Sequence, residues 1–247
     1  MDRPLILKTF HKGKIKEYFV MPKGDLHTDL GIIRLDELKA KLPGDMISSH
    51  LGFDFVIQKP KPPDFFRHAK RSGAPMMPKD IGQIISSTGL SHSDSVLDAG
   101  TGSGILAIYL GSIARKVVSY EIRDEFIDIA RQNIALTGLS NIELRSGDMV
   151  TEIQTLDEKF DVITLDTIDA ARIVPHVPGV IYPGGYLAVY SPFFEQTKEV
   201  RNAIENTNFT EVKTIETIER EISFSDRGTR PSTSRVGHTG FITIARY

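Results

Sequence analysis

The stretch Val96-Leu97-Asp98-Ala99-Gly100-Thr101-Gly102-Ser103-Gly104 constrains this chain more than any other. An apolar run ends in an acid, three alternate glycines follow, and a helical pattern begins. After that helix, Val117-Val118-Ser119-Tyr120-Glu121 is a second apolar run ending in an acid. Alternate glycines let a backbone pass close to a ligand where a Cβ would clash. The turn opens a helix whose first N–H groups face that ligand. Glu121 sits where a strand-end carboxylate accepts hydrogen bonds from both hydroxyls of a ribose. The segment predicts a βαβ unit holding a nucleoside.

The rest of the second half continues the alternation. Strands are expected at 95–98, 117–121, 142–146, 160–165 and 186–190, with helices at 105–114, 124–137 and 195–206. In the second helix Phe126, Ala130 and Ile134 recur every four residues, opposite Asp128, Arg131 and Gln132. Such alternation gives a mostly parallel sheet with buried strands. Beyond it, Val212–Phe224 and Phe241–Ala245 read as strands around a polar loop, Ser225–His238, and predict an antiparallel hairpin at the sheet edge. Upstream, Lys16–Val20, Ile32–Leu35 and Phe53–Ile57 read as short strands punctuated by Pro22-Lys23-Gly24-Asp25 and Pro43-Gly44-Asp45, a small β-rich module. Gln58–Pro63 carries three prolines and reads as a stiff non-helical connector, and Pro75 and Pro78 as further breaks. The expected organisation is an N-terminal β-rich domain over 1–63 and a Rossmann-like α/β domain over 64–247.

Taken alone, Gly102-Ser103-Gly104-Ile105-Leu106-Ala107 also fits the dinucleotide fingerprint, with Glu121 nineteen residues on, and suits a nicotinamide cofactor. The acids shift the balance. Asp98 precedes the turn, where it can meet an amino group. Asp148 closes the third strand beside Glu121, where it can bond an adenine amino group, and Asp166 closes the fourth, near the reactive end of a ligand. Four strand ends bearing acids suit a ligand with a cationic centre better than a pyrophosphate. This spacing resembles the class I S-adenosylmethionine-dependent methyltransferases over residues 90–210. The cofactor-binding set expected is Asp98, Gly100, Gly102, Ser103, Gly104, Ile105, Leu106, Glu121, Phe126, Asp148 and Asp166.

Over nearly its full length the chain resembles the tRNA (adenine-N1) methyltransferases that modify adenine-58 of the T-loop, in their archaeal and bacterial single-subunit form. The resemblance rests on Leu26-His27-Thr28 with Gly31, Arg71 with Pro78-Lys79-Asp80, Ser119-Tyr120-Glu121, Leu165-Asp166, Tyr190-Ser191-Pro192, Arg230-Pro231 and His238-Thr239-Gly240-Phe241. It implies methyl transfer from S-adenosylmethionine to tRNA by a homotetramer, with Asp166 as the catalytic carboxylate. Met77, Phe193, Arg230 and His238 are the candidate substrate contacts, with Arg235 a further one. Two stretches depart from the family pattern. Members usually carry Thr-Gln-Ile-Ile-Tyr before Pro-Lys-Asp, here Gly73-Ala74-Pro75-Met76-Met77, and a Leu-Pro-Glu-Pro-like run after the acid, here Thr167-Ile168-Asp169-Ala170. A class I methyltransferase for another RNA, a protein or a small molecule, or a non-catalytic RNA-binding subunit, are the alternatives.

Charge and composition bear on partners. Residues 1–71 hold 14 Lys/Arg and 9 Asp/Glu, a net of +5, leaving 16 against 23, a net of −7, for the remainder. That asymmetry favours an anionic partner for the N-terminal part. The chain has no cysteine, which excludes disulfides, thiolate metal sites and a cysteine nucleophile. No metal site is expected. The start Met1-Asp2-Arg3-Pro4 lacks an apolar leader pattern, and no run reaches the roughly 20 apolar residues of a membrane span, so a cytoplasmic location without membrane contact is expected.

Overall fold

The computed structural model describes residues 3–233 and 237–247. Contacts group residues 1–70 with 132–138 as one compact unit and residues 71–131 with 139–247 as another.

In the first unit, strands β1 (Leu5–His11), β2 (Lys14–Val20), β5 (Met46–Ser48) and β6 (Asp54–Gln58) form an antiparallel sheet in the order β2-β1-β6-β5, while β3 (Asp25–Thr28) and β4 (Gly31–Arg34) pair as a separate hairpin. Alternation decides which face is buried: in β6, Phe55 and Ile57 are fully buried between exposed Asp54, Val56 and Gln58. They join Leu7, Val20, Ile33, Leu38 and Ile47 in one core. Helix α1 (Pro62–His68) begins on the prolines read from sequence as connector. A proline at the first helical positions lacks only an N–H that has no helical partner anyway. The same correction applies to Pro78, which starts α2 (Pro78–Thr88) rather than breaking the chain.

The second unit is built on a seven-stranded sheet. Its strands are β7 (Ser95–Ala99), β8 (Lys116–Glu121), β9 (Ile142–Ser146), β10 (Phe160–Leu165), β11 (Ile181–Ser191), β12 (Thr210–Glu216) and β15 (Phe241–Arg246). The order is β12-β15-β11-β10-β7-β8-β9. The run from β9 to β11 is parallel, and β15 lies antiparallel between β11 and β12. The α/β class and antiparallel C-terminal pairing match the sequence expectation, with the last strand lying inside the sheet and β12 at its edge. Connections run through α3 (Ile105–Gly111), α4 (Asp124–Thr137, whose residues from 132 on group with the first unit), α5 (Met149–Glu152), α6 (Ala170–Ile173), α7 (Val177–Val180) and α8 (Phe194–Glu205). Leu97, Val118, Ile163, Leu187 and Val189 are fully buried in the sheet core. No helix among the described residues is long and apolar enough to cross a membrane.

The strand expected over 212–224 stops at Glu216, opposite Phe241, where its partner begins. The chain then forms a two-stranded hairpin of β13 (Ile222–Ser225), at the end of the stretch expected as strand, and β14 (Gly228–Pro231), within what the sequence suggested was loop. Because β7 is flanked by β8 on one side and β10 on the other, the chain leaves β7 in both directions. Ligands of open α/β sheets bind outside the carboxyl ends of strands at such a switch point.

Candidate active site at the carboxyl ends of the sheet

Acids stand at or near the carboxyl ends of the central strands, each held by neighbouring groups. Asp98 is fully buried, and its two oxygens accept from the hydroxyls of Ser119 at 2.6 Å and Thr164 at 2.7 Å, on the strands to either side. Thr101 Oγ1 lies 2.6 Å from Ser119 Oγ. Burial holds the Asp98 carboxyl above the usual carboxylate range despite these hydroxyl donors. The contact expected between Asp98 and a ligand amino group is therefore replaced by an internal one. Asp98 lies beneath the cleft and ties β7 to its neighbours.

Glu121 faces the cleft. One oxygen accepts from the Gly102 N–H at 2.9 Å, and the other from the N–H groups of Ile122 and Arg123, both at 3.1 Å. Arg123 Nε adds an ion pair at 3.2 Å, and its guanidinium lies 3.7 Å from the centre of the Phe126 ring. The glycine turn and the acid of the next strand thus hold one another in place. Gly100 is required by packing, since a Cβ there would fall 2.0 Å from the carbonyl oxygen of Asp166. At Gly102, with φ +54, a Cβ would meet nothing nearer than Ser72 Oγ at 3.8 Å, so its bare face opens on the cleft. Gly104, with φ +81, caps α3.

The cleft has two lobes. One, of about 410 Å³, is lined by Glu121, Ile122, Gly147, Asp148, Met149, Asp166, Ile168 and Asp169. The other, of about 270 Å³, is lined by Ser72 to Met76, Gly102, Ser103, Ile105, Leu106 and Phe126. Gly100, Arg123 and Asp166 border both. Asp148 caps α5, accepting from the Val150 N–H at 2.9 Å. Asp166 is anchored through its backbone, whose N–H donates to the Ala99 carbonyl at 2.8 Å. Burial, then the nearby carboxylates of Asp98 and Glu121, pushes its pKa up to about 7. The structure therefore brings together every cofactor residue read from the sequence except Asp98, which lies below, and Gly104, which shapes the turn. The lining fits an S-adenosylmethionine-like group: Gly102 leaves room for it, and the carboxylates outnumber the single Arg123. Carboxylates suit a diol, an amino group and a cationic centre alike.

Sequence reasoning missed Ile122, Arg123 and Ile168. The first two directly follow the acid of β8, and that adjacency was the available signal. On the substrate side, Met76 rather than Met77 lines the cleft; Met77 instead supplies the carbonyl that accepts from the Asp80 and Ile81 N–H groups at the start of α2. Arg230 lies on the exposed hairpin strand β14 and borders neither lobe. Arg235 lies outside the described residues. Phe193 and Phe194 are 62% and 68% exposed, and the Phe194 ring lies 4.4 Å from that of Phe241.

Three of the motif stretches meet in one knot. Lys79 Nζ donates to Asp80 at 2.7 Å and to Thr239 Oγ1 at 2.7 Å, and Thr239 Oγ1 donates to the other Asp80 oxygen at 2.8 Å. Asp80 is fully buried. The Tyr190 hydroxyl donates to the Thr239 carbonyl at 2.6 Å, and burial raises its pKa to about 12. A Cβ on Gly240 would fall 2.5 Å from the Tyr190 ring. His238 places one ring nitrogen 2.7 Å from Glu216 and the other 2.9 Å from the Pro192 carbonyl.

Residues 90–226 match the methyltransferase domain family. The chain is 34% identical to the tRNA (adenine(57)-N(1)/adenine(58)-N(1))-methyltransferase TrmI of Methanocaldococcus jannaschii, covering 89% of this chain and 86% of that one. It is 29% identical to the tRNA (adenine(58)-N(1))-methyltransferase TrmI of Thermus thermophilus, covering 98% and 96%. Among solved structures, an SAM-dependent O-methyltransferase from Thermotoga maritima superposes with a TM-score of 0.84 at 26% identity, over 99% of this chain and 92% of that one. TrmI from Aquifex aeolicus gives a TM-score of 0.78 at 22% identity, over 99% and 96%, and speaks for the fold alone.

Proposed function

This chain belongs to the tRNA (adenine-N1)-methyltransferase family, and from that premise we propose that it transfers a methyl group to N1 of adenine-58 in the T-loop of tRNA. The observation that carries the reading is the cleft itself: a glycine turn locked to Glu121, with Asp166 at the border of both lobes.

The cofactor is S-adenosylmethionine, which supplies a methyl group activated by positive sulfur. All remaining contributions come from the chain. Gly100, Gly102, Ser103, Ile105, Leu106 and Phe126 would form one wall of its site, Glu121 would accept from its ribose hydroxyls, and Asp148 from its adenine amino group. A target base inside a stack is out of reach, so it must be extruded to enter the cleft. Adenine N1 has a lone pair and needs no base before attack. Asp166 accepts from the neighbouring exocyclic amino group, orienting the ring and stabilising the positive charge that grows on it. A cationic ligand beside Asp166 favours its ionised form. Positioning and the exclusion of water supply most of the rate.

The Lys/Arg-rich N-terminal part, assigned as a domain over 1–63, binds RNA or serves assembly, and the methyltransferase domain spans 64–247. The family resemblance supports a homotetramer in the cytoplasm. The deciding experiment incubates the purified protein with unmodified tRNA and labelled S-adenosylmethionine and maps the product by mass spectrometry. N1-methyladenosine at position 58 is expected. A tRNA left without label, or label found at another atom or position, would reject the reading.

A further inference from the structure

His238 is a candidate RNA contact in the sequence and is exposed, yet both of its ring nitrogens are engaged by acceptors of the protein itself. Nδ1 lies 2.7 Å from a Glu216 carboxylate oxygen and Nε2 lies 2.9 Å from the Pro192 carbonyl oxygen. Neither partner can donate, so both contacts are hydrogen bonds only when both nitrogens carry protons. The ring also packs 4.8 Å from Phe241, whose other neighbour is Phe194 at 4.4 Å. The segment gripped in this way, Pro192–Phe194, continues directly from β11 at the cleft end of the sheet. There β11 pairs Val189 with Leu165, one residue before Asp166. Phe193 and Phe194 stand exposed on that segment.

We propose that His238, as an imidazolium, is a positioning residue. It clasps Pro192 to Glu216 and so holds the exposed aromatic pair Phe193–Phe194 in place beside the cleft, where a planar base extruded from the tRNA can stack. The part played by the base rests on the methyltransferase reading above, whereas the clasp itself does not.

The charged surroundings of His238 support the protonated form. The Glu216 carboxylate on β12 and then the Pro192 carbonyl raise its pKa above the usual imidazole value, while Lys79 on α2 opposes them weakly. Lys79 is itself paired with Asp80. A group whose folded pKa is raised in this way contributes stability fully below its unfolded value of about 6.5, and loses that contribution as pH rises through the folded value. Above that pH a neutral ring faces two acceptors with one proton.

Glu216→Gln separates the clasp from mere packing. A glutamine amide can turn to donate to a neutral Nδ1, leaving Nε2–H for Pro192, so the clasp no longer needs the second proton. Ring nitrogen NMR of the full-length protein should show both His238 nitrogens protonated at the usual imidazole pKa of about 6.5 and one of them losing its proton only at higher pH. Single-turnover methylation of tRNA should fall as pH rises through the His238 pKa in the parent, and that fall should be absent in Glu216→Gln. His238→Ala should lower the single-turnover rate by about tenfold or more through misplacement of the aromatic pair, with S-adenosylmethionine affinity unchanged by calorimetry. One unprotonated His238 nitrogen at pH 6.5 would overturn the clasp, as would identical pH profiles in parent and Glu216→Gln. If the parent methylates no tRNA, the methyltransferase reading fails, while the NMR measurement still decides the clasp.

Discussion

Two regions at the carboxyl ends of the sheet, the cofactor cleft and the knot beside β11, are held by different means. On the cofactor side, a backbone turn and a neighbouring strand end suffice: Glu121 fixes Gly102, Ile122 and Arg123 through their N–H groups. In the knot, the ends of β11 and β15 are held by side chains drawn from four distant places, Lys79-Asp80, Tyr190, Glu216 and His238-Thr239. Backbone donors in a tight turn are rigid and specified by neighbouring residues. A side-chain knot must be assembled by the whole fold, and every buried polar member must be satisfied. Two acids on neighbouring strands differ likewise: Asp98 has both oxygens occupied, whereas Asp166 borders the cleft with a raised pKa.

The largest effect expected lies at Asp166. Asp166→Ala should reduce single-turnover methylation by on the order of 10²–10³, the usual loss of one preorganised group aimed at developing charge. S-adenosylmethionine affinity should stay within a few-fold of the parent, and Asp166→Asn should fall between the two in rate. A parental rate in both variants would remove Asp166 from the chemistry and make Asp169, which shares its lobe, the next candidate.

Glu121→Ala comes next and acts on binding. Hydrogen bonds to a charged group contribute about 1.5–3 kcal/mol, so calorimetry should show roughly ten- to a hundredfold weaker S-adenosylmethionine binding. Because Glu121 also anchors Gly102, the heat of binding should shift as the turn loosens. Unchanged affinity would mean that the turn, not the acid, carries the cofactor side.

A smaller effect is linked to pH. With the Asp166 pKa at about 7, a cationic ligand must expel a proton below that value. S-adenosylmethionine affinity should therefore rise with pH up to about 7, by about a few-fold in all, and then level off. Asp166→Asn should flatten the curve. The stability effect has the opposite sense, since a carboxyl with a raised folded pKa makes the fold less stable as pH climbs from about 3.9 toward 7. The Tm of Asp166→Asn relative to the parent should grow across that window and plateau above it.

The smallest effect on the cofactor belongs to the knot. Thr239→Val removes the hydroxyl shared by Lys79 and Asp80 and leaves a buried carboxylate oxygen without its donor. Unfolding free energy should fall by about 1–3 kcal/mol, measured by denaturant titration, while S-adenosylmethionine affinity stays the same. Equal losses in both quantities would show that the two regions are not separable.

The cofactor side was legible in the sequence because its determinants are local. A glycine turn after an apolar run, and acids closing successive runs, are read from residues 96–166 without knowing what packs on what. Proline was misread for a related reason: Pro62, Pro63 and Pro78 have the same restricted φ in a connector as in the first turn of a helix, and only the residues that follow distinguish the two. Whether Asp98 reaches the ligand depended on Ser119 and Thr164 arriving on neighbouring strands, each with a hydroxyl aimed at it. Likewise Met77 and Met76 are equivalent in composition, and the start of α2 chose which one faces the cleft. His238 reads as a surface cation in a polar loop until β12 and the end of β11 bring two acceptors to its ring. The chain's own order thus determined the α/β class, the glycine turn and the line of acids, since each needs only neighbours in sequence. Which acid is sealed, which methionine lines the site and what His238 holds were decided by tertiary structure, because each depends on a hydrogen-bond partner or a packing surface supplied from a distant part of the chain.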